Sequence, residues 1–237
     1  AEAERRLQQA VRILPLWRDW RTRAIAYHEL GSIRLYAGQR EEASRLYRKA
    51  LRITRLLGPK HRDEIAANLL ALAVIHLELN QHGLAIRRAQ SALPLALKAL
   101  DIPHVVAAHR ILAIAFKDTL NYAEAERHLQ SAESISEAGA LRIENMQAQI
   151  VKGWLYYARA VLDHRQIDAA VACFNQMATQ ARAMHHENIL LESNLGLIWS
   201  HLFAQDVLAA QKVLNDILGV GNQSHHELKA LVILASA

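Results

Sequence analysis

The sequence predicts an all-α chain built as a solenoid of antiparallel helix pairs, and three observations carry that expectation. Ala and Leu dominate the 237 residues, while Gly and Pro number only 9 and 4, a composition that favours helix over strand. Apolar residues recur at i, i+4 and i+7 through successive segments, which places them on one helical face. The pattern also repeats. With one small anchoring residue per unit, Ala3, Ala43, Ala85, Ala125, Ala170 and Ala209, the steps by subtraction are 40, 42, 40, 45 and 39 residues. Periods of this length mark a stacked array rather than a single folded core.

Taken in order, an opening half unit (1–22) carries "AEAERRLQQAV", with Leu7 and Ala10 four and seven after Ala3. The first pair is predicted at about 24–57, with Leu30 and Gly31 on its first helix and Ala43, Tyr47 and Ala50 on its second. Antiparallel helices close to the short end of the usual ~8–10 Å separation only where facing positions lack bulk. A small residue on each helix therefore lets the pair close, and Gly38 between them tolerates the positive φ that ends a helix. The second pair, about 66–100, repeats the pattern with Leu72 and Ala73, then Ala85, Ala89 and Ala92; Pro94 is expected to kink or end its second helix. The third, about 106–138, has Leu112 and Ala113, then Ala125, Leu129 and Ala132, with Asn121 and Glu124 at capping-box spacing. Residues 139–150 read as a long junction. The fourth pair, about 151–183, carries Tyr157 and Ala158, then Ala170, Phe174 and Met177, and the fifth, about 189–218, carries Leu195, Gly196 and Ala209. A closing half unit, 223–237, opens at Ser224 and Glu227, again at capping spacing, and ends in "LVILASA".

The chain begins without Met and stops in apolar residues, so it is expected to be a fragment of a longer protein. Terminal repeats need polar caps, and the apolar end predicts self-association there. No apolar run approaches a membrane span, the longest clear one being "LLALAVI" at 69–75. The single Cys173 gives no intrachain disulfide framework, which suits a reducing compartment and predicts a cytoplasmic protein. A net charge of +5 is modest for this length and disfavours nucleic acid as a partner. Arg45, Arg48, Lys49, Arg52 and Arg55 form a basic stripe on a second helix, read as a solvated face because Glu41 and Arg45 stand at favourable i, i+4 spacing. Thirteen histidines yield no ligand spacing: His185 with His186, and His225 with His226, are adjacent and point about 100° apart on a helix. His28, His76, His109 and Cys173 are read as structural. No Walker loop, GxSxG or dinucleotide fingerprint occurs, so no cofactor, metal or enzymatic activity is expected.

Leu30, Gly31, Gly38, Ala43, Tyr47 and Ala50, with Tyr27 before them and Pro15 twelve residues after Ala3, resemble the signature of the tetratricopeptide repeat. The longer period and the joint "LGPKHRDEIAANLLALA" are similar to the kinesin light chain type and its bacterial relatives. The resemblance implies a right-handed superhelix whose first helices line a concave groove that binds a peptide. Carried across, the groove positions are Ile25, His28, Ser32 and Tyr36, then Leu70, Val74 and Leu77, then Arg110, Ile114 and Lys117, then Lys152, Leu155 and Arg159, and finally Asn194 and Leu197. The middle of such a groove is basic and suits an acidic peptide. The resemblance thus implies a noncatalytic scaffold for protein or peptide binding. The alternative it implies is an effector-sensing helical domain of a modular transcription regulator or signalling ATPase.

Overall fold

The computed structural model describes residues 20–220, together with Arg5. The anchors Ala3, Leu7, Ala10 and Pro15, and the closing half unit with its Ser224 cap, its His225 and its apolar end, lie outside the described residues. Within them the chain forms ten α-helices and one 3-10 turn: α1 (Trp20–Tyr36), α2 (Arg40–Leu57), the 3-10 turn (Pro59–His61), α3 (Arg62–Glu78), α4 (His82–Ala99), α5 (Ile102–Asp118), α6 (Tyr122–Ala138), α7 (Arg142–Ala160), α8 (Gln166–Ala183), α9 (Glu187–Phe203) and α10 (Val207–Val220). Two differences from the sequence reading stand out. Pro94 does not end α4, which runs on to Ala99. The long junction at 139–150 is mostly helix, because α7 begins at Arg142 and buries Met146, Ala148 and Ile150.

The chain divides into two compact units at Asn145 and Met146. In the first, α1 packs on α2, α3 on α4 and α5 on α6; α2 meets α3, α4 meets α5, and α3 meets α5. Its core joins Tyr47, Leu69, Leu72, Ile75, Val105 and Leu112 to the fully buried alanines 43, 66, 73, 89, 92 and 96. In the second, α8 packs on α9 and α9 on α10. Phe174 is completely buried there, with its ring edge-on to Trp154 at 5.1 Å.

Gly31 acts as the close-approach argument requires, since a Cβ added there would lie 2.9 Å from the Tyr47 ring of its own pair. Gly196 makes room between pairs instead: a Cβ there would lie 2.4 Å from the Phe174 ring on the preceding helix. The turns share one device. Gly38, Asn80, Leu100, Leu120, Ala140, His185 and Gln205 all have φ between 52° and 73°. After α5, for example, the Leu120 N–H donates to the Lys117 carbonyl (3.0 Å) and the Asn121 N–H to the Phe116 carbonyl (2.8 Å). This is the paired bond of a Schellman cap, which satisfies the last carbonyls of the helix. Asn121 then opens α6, its side chain accepting from the Glu124 N–H at 3.4 Å, and Asp101 caps α5 in the same way through His104.

Candidate functional site

The inner helices α1, α3 and α5 of the first unit carry the richest set of sequence-predicted residues. His28 Nδ1 stands 3.1 Å from Asn68 Oδ1 on α3, and the His28 ring meets Tyr47 edge-on at 5.1 Å. Asn68 in turn donates to the Glu64 carbonyl at 2.7 Å. Ser32 donates to the His28 carbonyl at 3.3 Å and shares a 3.0 Å hydrogen bond with the Tyr47 hydroxyl, whose pKa burial raises. His28 is therefore bound into the joint between the first two pairs, and Ser32 into the joint between the two helices of the first pair. Tyr36, at the far end of α1, is 89% exposed.

Beside His28 lies a recess of about 110 Å³ lined by Ile25, Glu29, Thr54, Glu64, Ala67 and Asn68 among others. Glu64 Oε1 accepts from Arg21 Nε at 2.6 Å, while its Oε2 is buried without a hydrogen-bond partner. On α3 the half-buried Ala71, Val74 and Leu77 pack against the core, as do Leu35 on α1 and Ala107 on α5. Charged pairs stand at the last turns of α3 and α5: Arg40 to Glu78 at 2.6 Å, and Lys117 to Asp118. Arg110 is half-buried on α5. The predicted wall residue Leu70 is instead core, only 4% exposed.

In the second unit, Lys152 and Arg159 are half-buried on α7. Asn194 and Leu197 on α9 are covered, at 8% and 3% exposed, and Leu155 at 2% is core. Inner-helix phase thus separates the predicted positions into surface residues and packing residues. Asn68 and Glu64 were missed, although a lone Asn inside the apolar run "AANLLALA" is a signal, since a buried amide needs partners.

One further cluster involves histidine. His109 Nδ1 on α5 lies 2.9 Å from His128 Nδ1 on α6, and Phe116 stacks on His128 at 5.6 Å. Burial and the neighbouring ring lower the His109 pKa to about 4. His128 is lowered too, by burial and by Arg127, with Glu124 acting in the opposite sense. His186 accepts from the Ile189 N–H at 3.3 Å and caps α9, and His76 bonds Gln81 at 2.8 Å. Among the described residues no group of three or more His, Cys, Asp and Glu is arranged to hold a metal ion, and no helix is long and apolar enough to cross a membrane.

Helix pairs with a small-residue joint and an inner strip match the tetratricopeptide repeat model over residues 22–98. This segment belongs to the tetratricopeptide repeat family. The tetratricopeptide fold continues beyond it. The structure of BtubC (BKLC) from P. vanneervenii superposes with a TM-score of 0.67 at 17% identity, covering 94% of this chain and 92% of that one. The apo form of RapI gives 0.70 at 14% identity, covering 92% and 76%. A Podospora anserina putative kinesin light chain with nearly identical TPR-like repeats gives 0.58 at 22% identity, covering 85% and 96%. No curated protein matches the sequence. The tetratricopeptide scaffold, as a repeat fold, fits a protein-interaction module.

Proposed function

We propose that the first unit binds a peptide segment of another protein along α1, α3 and α5. The observation that supports this is the apolar strip of Ala71, Val74 and Leu77, which packs on the core from beneath yet stays partly open above. Such a strip, with charged pairs at the last turns of α3 and α5, gives an extended or helical peptide apolar contact along its length and polar contact at that end. Tyr36 adds an exposed aromatic at the end of α1, and Ser32 and His28, about one and two turns before it, add polar groups. Arg110 and Lys117 on α5 would meet acidic side chains of the segment; in the second unit Lys152 and Arg159 offer the same chemistry. Asn194 is too covered to take part. The recess at His28, about 110 Å³, is smaller than the ~300 Å³ and more typical of small-molecule sites. It suits a single peptide side chain.

The test is selection of binders from a displayed library of random twelve-residue peptides, repeated with Val74→Glu and with Arg110→Glu/Lys117→Glu after each is shown to be folded. Peptides held by the parent and lost by Val74→Glu support the strip. Loss of only the acidic peptides in the double variant supports the role of α5. Equal retention by parent and Val74→Glu removes the proposal.

A further inference from the structure

The whole-chain charge conceals a segregation. Residues 43–62 and 79–100 contain ten of the 28 Lys and Arg and none of the 23 Asp and Glu, so the remaining residues carry eighteen cations against twenty-three acids. These acid-free stretches comprise most of α2 with the joint after it, and α4 with its flanking turns. They are the second helices of consecutive pairs in one unit.

On α2, Arg45, Arg48, Lys49, Arg52 and Arg55 are all exposed, while Ala43, Tyr47, Ala50, Leu51 and Thr54 are buried. Steps of three and four residues keep the cations on one side of the helix, over about 15 Å at ~1.5 Å per residue. The i, i+4 pairing of Glu41 with Arg45 does not form. Glu42 turns to Arg34 at 3.1 Å, and among the described residues no ion pair engages Arg45, Arg48, Arg52 or Arg55. The stripe runs into a recess of about 580 Å³, where Lys60 and Arg62 stand with Lys98 from the end of α4. Two acids also line it, Asp63 and Asp101, and Asp101 is already engaged by His104 Nδ1 at 2.6 Å.

We propose that this outer face of α2 and α4 binds the sugar–phosphate backbone of a nucleic acid without reading its sequence. Charge complementarity selects a polyanion, and the make-up of the face selects among polyanions. The centre of a protein–protein interface is anchored by aromatics, whereas this stripe exposes none, the one aromatic of α2, Tyr47, being buried. Four of its five cations are arginines, whose planar fork suits phosphate oxygens. The α2 stripe has no exposed aromatic or amide, and Gln90 is the one exposed amide of α4, so the contacts are chiefly to backbone. The face is separate from the inner strip, so the two readings stand or fall independently. A net charge of +5 averages over the segregation, which is why it pointed away from nucleic acid.

The test measures binding of the whole chain to a fluorescent 20-base-pair DNA duplex by anisotropy between 50 and 200 mM NaCl. A dissociation constant of roughly 10⁻⁴ to 10⁻⁶ M near physiological salt, and a log–log salt slope of about −4.5, are expected for some five phosphate contacts. Arg48→Glu/Arg52→Glu, with its helicity checked by circular dichroism, should bind at least about tenfold more weakly, with a slope shallower by about 2. The exposed pair Arg182→Glu/Lys212→Glu changes net charge equally and should leave the slope unchanged. Three results overturn the proposal: no binding at 50 mM NaCl, equal loss in both variants, or tighter binding to polyglutamate or to phosphatidylserine vesicles than to the duplex.

Discussion

His109 shows what burial does to a single titratable side chain. Its pKa falls from an ordinary 6.5 to about 4, so the folded chain holds it neutral where the unfolded chain would protonate it. The unfolded state therefore binds the extra proton below pH ~6.5, and stability is lost progressively as pH falls toward 4, with no such loss above 6.5. We expect the urea midpoint of the parent to fall more between pH 7 and 4.5 than that of His109→Gln, which keeps a polar group beside His128. Parallel falls would show that the pair does not titrate with folding. The sequence indicated that His109 packs but not that it meets His128 nineteen residues on, because that contact depends on the facing phase of two helices. Phe174 makes the same point. An added Cβ would strike its ring at 2.7 Å from Gly153 and at 2.4 Å from Gly196, and spacing from Ala170, which marks Ala158, points to neither. The turn before α8 has five residues, 161–165, where the other pairs have three, which shifts the facing phase of α7 and α8.

At the scale of the element, the helix ends were the least legible part. Gly38 announced its turn, but the same left-handed cap closes six other helices on Asn80, Leu100, Leu120, Ala140, His185 and Gln205. At these positions the geometry of the pair, rather than the residue's own preference, sets φ. Leu120 is 72% exposed at φ 61°, so its side chain gains little from packing while its Cβ crowds the following carbonyl. The left-handed conformation costs a residue other than glycine about 1–2 kcal/mol. Glycine's extra freedom in the unfolded chain takes back roughly 0.5–1 kcal/mol. Leu120→Gly is thus expected to stabilise by about 0.5–1 kcal/mol, and Leu120→Ala, which keeps a Cβ, should not. Urea unfolding of the two variants beside the parent decides it, and a destabilised glycine variant would mean that Leu120 packs more than its exposure indicates.

For the molecule as a whole, the step of about 40 residues was readable because each pair repeats the same burial problem: small residues where helices close, large ones where they meet the next pair. Charge is distributed on a different scale, across neighbouring pairs, and only the recess where the joint after α2 meets the end of α4 gives it meaning. The same view predicts how the chain can be divided. The core from Leu35 on α1 to Ile135 on α6 lies wholly within the first unit, and repeat arrays draw their stability from neighbouring contacts. A fragment of residues 20–141 is therefore expected to be helical by circular dichroism and to unfold in one sigmoidal urea transition. It contains all ten cations of the acid-free stretches, so it should also keep the salt slope of the whole chain on DNA. A broad, featureless transition would mean that α7 is needed to complete the core. A sigmoidal transition with the slope lost would place the polyanion contacts outside α2 and α4.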